Sequence, residues 1–596
     1  MRELLEQKYN SLFETYHFEP TISSKSVSTI IKKALEDFML QSKKPAIYCN
    51  GGHTRILMSD FMVALKKVKY IVDNYADTND EGGFHLIKDN EIEENGIDAV
   101  VISSFKFKDS IIEGLKKNHP SIAYLNLYEI LAENGINLQT DYYYYNHPYQ
   151  HYHMINSIQR MLEGLKGKDE LEQAYYSLIT KYIHIKDFRS AVQYAHKIYE
   201  VTQTQRYAQL IVDLESLYEA EMTAAGKIGQ ENVLMFCIDG LRRQDLREPY
   251  MPDLAAIFRD KGFWFENAYS LSTSTFESLM PVYSGNDDLR AAYYSRSVIK
   301  EEESAFIQEA KRQKRRIFFY TDMEHYVDGE GIEYNGAFQT ITEKLWSFIL
   351  DAVEEKNGLY YIHSGYESHF SFANPYTKSK LISEGTGILF DFLPQKGGKL
   401  RTDYEQQHLD ALRYLNDVIS PLIQAVECRM LVYADHGNLV LKDKCKLEEI
   451  KKSKFIYDEE LIQIPYIMCS PEMGKGTSLV LISLMSFNES MLSLLKKKKF
   501  KVPDNRYVKI ARSELYNPNF RCLYGKIKQD RCLFAFEGFI FAEGYKLIVY
   551  SDGKMELLVT ETDEEVEDKE LMRKYQQIIR DRVTVCESGK LTMQGC

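Results

Sequence analysis

The sequence predicts a multidomain α/β protein, and three observations carry that prediction. At 596 residues the chain exceeds what one hydrophobic core supports, so about three or four domains are expected. Short apolar strands alternate with helical stretches in two separate regions, the pattern of parallel α/β layers. Between and after those regions the pattern changes, first to helix alone and then to short strands joined by hairpin turns.

Composition narrows the class. Hydrophobic residues make up 44% and charged residues of both signs 27%, the balance of a globular, soluble protein. A net charge of −13 argues against a nucleic-acid partner, because phosphate contacts need a basic surface. The run Lys496–Lys499 reads as a solvated helix end. No stretch approaches the roughly 18 apolar residues of a transmembrane segment, and Met1–Lys8 lacks the apolar core of a signal peptide. Nine cysteines without a CxxC pair suit reduced thiols. The expected setting is cytoplasmic, and the oligomeric state stays open.

Residues 1–150 read as an α/β domain. Amphipathic helices near 1–40 precede the strand Pro45–Cys49, which breaks into Gly51-Gly52. Strands Val68–Asn74, Asp98–Ser104 and Ile122–Asn126 follow, with a helix at Lys108–Lys117, implying a parallel sheet of Rossmann type. The full GxGxxG pattern is absent, so a docking or vestigial domain is favoured over an active nucleotide site. Residues 141–153, with Tyr142–Tyr145, His147, His151 and His153, read as a loop packing its aromatics. Residues 151–228 read as a helical spacer: Leu171–Ile183 and Phe188–Glu200 form a pair of the tetratricopeptide kind, without a second copy.

From 229 to 485 the alternation resumes. Strands Val233–Gly240, Arg316–Asp322, Gly358–His363, Met430–Asn438 and Ile462–Cys469 interleave with helices such as Pro252–Lys261 and Asp403–Ala425. That predicts an α/β sandwich whose site lies at the carboxyl ends of the strands. Three stretches carry candidate chemistry. One strand runs into Asp239-Gly240, another into Asp435-His436-Gly437-Asn438, and Ser272–Pro281 reads as a hydroxyl-rich turn feeding a helix. Glu277 is placed to close a capping box with Ser274, and a hydroxyl at a helix start faces unpaired N–H groups that favour phosphate. Asp239, Asp435 and His436 with Thr275 make a plausible metal-activated nucleophile site. Arg242 reads either as a phosphate clamp or as an ion pair. Residues 486–596 read as a small α+β subdomain, with an Asp-Gly hairpin at Ser551–Lys554 and a closing helix at Lys569–Arg582.

In this order the motifs resemble the alkaline phosphatase superfamily, in its sulfatase-like branch, with lipoteichoic-acid synthases and phosphoethanolamine transferases most similar. The resemblance covers roughly residues 230–485 and extends into the tail. It implies an alkaline-phosphatase-like sandwich and a divalent metal, Mn²⁺ or Zn²⁺ with Mg²⁺ or Ca²⁺ as alternatives, held by Asp239, Thr275, Asp435 and His436. It further implies Thr275 as nucleophile with Ser278 and His369 as catalytic neighbours, and His363 and Asn438 beside the substrate. Leu279 occupies the position where a sulfatase carries Arg, so sulfate-ester hydrolysis is not expected. Asn438 replaces the Glu usual in the transferases, and no His lies between 437 and 465, so a full second metal site is not expected. The implied substrate is a small-molecule or glycan phosphodiester, possible within surface-glycan modification. The alternatives are a phosphomonoesterase or sulfatase-like hydrolase, or an inactive scaffold binding partners through its N-terminal half.

Overall fold

The structure is a computed structural model that describes residues 1–19, 24–51, 53–54, 57–58, 61–74, 80–81, 84–134, 136, 148–286, 299–321, 327–335, 339–369, 372–378, 398–438, 457–512 and 534–580. Helices α1 (Arg2–Tyr16) and α2 (Ser24–Gln41) are the expected amphipathic pair. They serve different cores. Leu5, Leu12 and Tyr16 of α1 join the large core formed by the helical segment and the sandwich, whereas Val27, Ile31 and Leu35 of α2 pack on the N-terminal sheet.

That sheet contains β1 (Pro45–Tyr48), β2 (Tyr70–Val72), β3 (Asp80–Glu81), β4 (Phe84–Ile87), β5 (Ala99–Ile102) and β6 (Ala123–Asn126), in the order β3-β4-β2-β1-β5-β6. Every pairing except β3–β4 is parallel. Without the antiparallel edge, the order is that of a doubly wound sheet. Helices α3 (Lys108–Asn118) and α4 (Leu127–Glu133) follow β5 and β6. Asp73 accepts the Asn50 N–H at 2.8 Å and so closes the turn after β1 itself; Gly52 lies outside the described residues.

The helical segment is α5 (Pro148–Leu162), α6 (Lys168–His184), α7 (Phe188–Thr202) and α8 (Gln205–Ala225). Helix α5 begins at a proline, the residue pre-set for a first helical turn, so the stretch read as a loop through residue 153 is helical from 148 onward. His151 is buried, and residues 141–147, with Tyr142–Tyr145 and His147, lie outside the described residues. Asp187 caps α7 by accepting the Ser190 N–H at 2.9 Å. Across from it, burial first and then the Asp187 charge push the carboxyl of Glu221 up to about 8.

The sandwich is built on eight strands: β7 (Val233–Ile238), β8 (Phe263–Tyr269), β10 (Arg316–Tyr320), β12 (Ile332–Asn335), β13 (Gly358–Ser364), β14 (Arg429–Tyr433), β15 (Tyr466–Cys469) and β16 (Gly476–Ser483). A small separate pair, β9 (Ile299–Lys300) with β11 (Val327–Asp328), lies outside this sheet. The order is β12-β10-β13-β7-β14-β15-β8-β16, parallel through its first five strands. Helices α9 (Pro252–Lys261), α10 (Thr275–Ser284), α11 (Ala305–Arg312), α12 (Ile341–Ala352), α13 (Gly398–Ala425), the short α14 (Glu459–Ile462) and α15 (Phe487–Leu495) complete the unit.

Alternate residues of β13 show why its apolar run is continuous. Tyr360 meets Phe348 of α12 at 5.1 Å between ring centres, while its neighbour Tyr361 meets Tyr283 of α10 at 5.9 Å. Successive side chains of a strand point to opposite faces, so helices cover both. Strand β16, which the sequence pattern did not predict, is an edge strand whose register shifts between Ser478 and Leu481, and this shift breaks its period-2 alternation. Helix α15 buries Phe487, Met491 and Leu494 in the same large core, although the expected boundary at 485 assigned it to the tail.

The C-terminal sheet pairs β17 (Tyr507–Arg512), β18 (Phe536–Phe541), β19 (Tyr545–Tyr550) and β20 (Met555–Val559) antiparallel in chain order, under α16 (Lys569–Ile579). Its Asp-Gly turn forms as expected, with Gly553 at φ 82° and the Tyr550 N–H on the Lys554 carbonyl at 2.9 Å. Lys546 of β19 is buried and reaches the sandwich, donating to the Tyr457 carbonyl at 3.0 Å and pairing with Glu459 at 3.5 Å.

The raised carboxyl of Glu221 makes stability pH-dependent. The folded chain holds a proton that the unfolded chain releases above about 4.5. The contribution is therefore full below the unfolded pKa and is lost as pH rises through about 8. Urea midpoints measured from pH 5 to 9 should fall with rising pH in the wild type and fall less in Glu221→Gln.

Candidate metal centre

Three neighbouring parallel strands deliver the central residues. The β7–β13 register matches Ile238 with Ser364, and the β7–β14 register matches Cys237 with Tyr433, so the carboxyl ends of these strands lie side by side. Asp239 leaves β7 with its N–H on the Ser364 carbonyl at 3.0 Å, which extends the ladder past the strand. Asp435 leaves β14 and takes the Gly240 N–H on Oδ1 at 3.1 Å. Gly240 sits at φ 67°, a left-handed conformation that favours glycine, and a Cβ there would overlap Asn438. Gly437 donates its N–H to the Leu461 carbonyl at 2.8 Å, and a Cβ on Gly437 would overlap the Glu460 carbonyl.

His436 is oriented by its own turn. Nδ1 stands 2.8 Å from the Gly437 carbonyl, which only accepts, so Nδ1 carries a proton and Nε2 is turned into the site. Nε2 faces Thr275 Oγ1 at 3.2 Å, Asp435 Oδ2 at 3.3 Å and Asp239 Oδ1 at 3.7 Å. Asp239 Oδ2 lies 3.2 Å from His363 Nε2 and 3.5 Å from Thr275 Oγ1. His369 completes the group: one ligand atom each from Asp239, His369 and His436 lie within 4.8 Å of one another. Burial would raise the Asp239 carboxyl. The charge of His369, the hydrogen bond and charge of His363, and the charge of His436 outweigh it and hold the group well below the usual carboxylate range.

Asp239 Oδ1 and Asp435 Oδ2 are buried and find no hydrogen-bond donor among the described residues. Both oxygens lie within 3.7 Å of His436 Nε2. A donor set of two carboxylates, an imidazole and a hydroxyl fits a hard or borderline divalent cation. Asp239, Asp435, His436 and Thr275 would hold it.

Thr275 opens α10, whose N-cap Ser274 makes no side-chain capping bond. The expected box with Glu277 does not form, because the Glu277 carboxylate accepts from Ser272 Oγ at 2.6 Å instead. Ser278 Oγ binds the Ser272 backbone, accepting its N–H at 3.1 Å and donating to its carbonyl at 3.2 Å. Its hydroxyl therefore braces the turn before Thr275. Asn438 Nδ2 likewise donates to the carbonyls of Gly240 at 2.8 Å and Ser368 at 2.7 Å, tying three loops together. Arg242 is buried with its guanidinium on Asp245 at 2.6 Å and Glu460 at 3.3 Å, which resolves its two readings as an ion pair.

Two residues near the site escaped the sequence reading. Lys344 of α12 is buried and donates to the His363 carbonyl at 2.8 Å. Glu367 is buried in the loop after β13 and accepts the Ile341 N–H at 2.9 Å. The only signal for either was a charged residue set among apolar and aromatic neighbours.

The close approach at Gly437 generates a stability test. Gly437→Ala should lower unfolding free energy by about 2 kcal/mol or more, while Gly229→Ala, with open space around it, should stay within about 0.5 kcal/mol. Urea denaturation checks both.

No family model and no curated protein matches the chain. Among solved structures it is similar to the phosphonate monoester hydrolase of Silicibacter pomeroyi, at 12% identity and a TM-score of 0.44, over 59% of this chain and 95% of that one. It is similar to the C-terminal periplasmic domain of EcEptC from Escherichia coli, at 14% identity and a TM-score of 0.34, over 49% and 91%. It is also similar to a protein in the alkaline phosphatase superfamily from Vibrio parahaemolyticus, at 12% identity and a TM-score of 0.39, over 58% and 84%.

Proposed function

We propose that this protein is a metal-dependent phosphoryl-transfer enzyme that uses Thr275 as nucleophile on phosphodiester-type substrates. It would act either as a transferase of phosphoethanolamine-like or phosphoglycerol-like groups or as a phosphodiesterase. The observation that carries this reading is the pair of buried carboxylate oxygens without a donor among the described residues, Asp239 Oδ1 and Asp435 Oδ2, on either side of His436 Nε2, with the Thr275 hydroxyl 3.2 Å from the imidazole.

A divalent cation held there would supply positive charge that lowers the pKa of a bound hydroxyl and stabilises charge on the transferred group. The chain's own residues account for the rest. Thr275 Oγ1 stands 3.5 Å from Asp239 Oδ2, the carboxylate oxygen within reach of its proton. Attack forms the Oγ1–P bond and breaks the bond from phosphorus to the leaving oxygen, which takes up a proton. His369, in the same cluster, is placed to donate that proton or to contact the transferred group. Water or an acceptor alcohol then displaces Thr275 from phosphorus. The position of Thr275 at the start of α10 adds unpaired helix N–H groups to the anion's surroundings.

Bis-p-nitrophenyl phosphate tests the nucleophile. Turnover in the presence of Mn²⁺ or Zn²⁺ should fall at least about a thousandfold in Thr275→Ala, the scale on which a lost nucleophile acts. Equal rates in mutant and wild type would overturn the assignment. Dialysis against a chelator should abolish turnover, and added Mn²⁺ or Zn²⁺ should restore it. Activity that survives chelation would remove the metal from the mechanism.

A further inference from the structure

Tyr152 lies in α5, more than two hundred residues from the loop after β13, yet its side chain is fully buried with its hydroxyl 2.5 Å from Glu367 Oε1. Glu367 is itself buried and has three partners. Besides Tyr152 it accepts the Ile341 N–H at the start of α12 at 2.9 Å and, on Oε2, the Ser364 hydroxyl at 3.4 Å. Its loop is the one that carries the site. Ser364 offers its carbonyl to the Asp239 N–H and to the Ser368 hydroxyl, at 3.0 and 3.1 Å. Ser368 in turn offers its carbonyl to Asn438 at 2.7 Å, and the next residue is His369. Helix α5 grips the same loop a second time, one turn further on, where Asn156 Nδ2 donates to the Asn374 carbonyl at 2.9 Å.

A buried carboxylate with specific partners is costly to leave half satisfied. Its partners belong to different modules, Tyr152 to the helical segment and Ile341 and Ser364 to the sandwich, so the loop takes its shape from both. We infer that Tyr152 is a positioning residue for the phosphoryl-transfer site: through Glu367 the helical segment sets the conformation of the 364–369 loop and so the placement of His369. The sandwich then lacks a fully formed site without α5.

The kinetic arm of the test rests on the phosphoryl-transfer reading, so a second arm is independent of turnover. Tyr152→Phe removes one hydroxyl and keeps the ring beside Tyr414. Tyr194→Phe, whose hydroxyl meets only the helical segment through Gln159 and Tyr182, is the control for general loosening of that segment. In the full-length protein with Mn²⁺ and bis-p-nitrophenyl phosphate, Tyr152→Phe should lower kcat roughly tenfold, the scale of a small misplacement. Its KM should stay within about twofold, and Tyr194→Phe should match the wild type. In the metal-free protein labelled at histidine nitrogen, the His369 imidazole signals, assigned by their loss in His369→Gln, should shift in Tyr152→Phe and not in Tyr194→Phe. His369 signals of Tyr152→Phe that superimpose on those of the wild type overturn the inference. So does an equal shift in the control, or an unchanged kcat in an active enzyme. A shift specific to Tyr152→Phe in a protein that turns over no diester upholds the positioning role while the phosphoryl-transfer reading falls.

Discussion

The site depends on a packing constraint before it depends on any chemistry. Asp239 and Asp435 follow adjacent parallel strands. They are held together by backbone. The Gly240 N–H binds Asp435, and Asn438 clamps the Gly240 carbonyl. A Cβ at 240 would overlap the Asn438 amide that makes the second bond, and the residue there adopts a left-handed conformation. Gly437 meets the same demand on the other side, where the segment at Glu460–Leu461 passes directly against it. The Asp-Gly and Asp-His-Gly pairs are therefore units in which the glycine lets neighbouring segments pack against the end of the strand.

Much of this was legible in sequence because the relevant signals are local. Parallel strands buried on both faces read as unbroken apolar runs, so β7, β10, β13 and β14 were placed within a few residues. The polar residues at two of these carboxyl ends stood out against the run, which is how Asp239 and the pair Asp435-His436 were singled out, while Thr275 was read from the hydroxyl-rich turn before a helix. Helix α9 and strand β19 matched to the residue, each bounded by Pro, Gly or turn residues.

What escaped was whatever depends on a distant partner. Arg242 reads as a free cation until Asp245 and Glu460 close around it. Glu277 sits at capping-box spacing, but Ser272 outcompetes Ser274 for it. Ser278 and Asn438 carry functional-looking side chains that turn out to hold backbone. Glu367 and Lys344 have no periodic signature, since their burial is made by elements that arrive from other parts of the chain. Strand β16 was lost to a register shift, and α1 could not be allotted to a core because an amphipathic helix does not state which apolar surface it covers.

The packing of α1 has a topological consequence. Its last residues are fastened to α6, where Tyr176 donates to the Tyr16 carbonyl and His184 meets the Glu19 carbonyl at 2.6 Å. On the other side of the N-terminal sheet, the chain returns to the same helix, with Gln159 of α5 on Tyr182 at 3.1 Å. The doubly wound unit is thus an insertion into the larger body, entered and left over one helix, and not a leading domain on a single linker. A nick at either connection would leave both pieces attached, and the larger body can close only after synthesis has passed through the guest and reached α6.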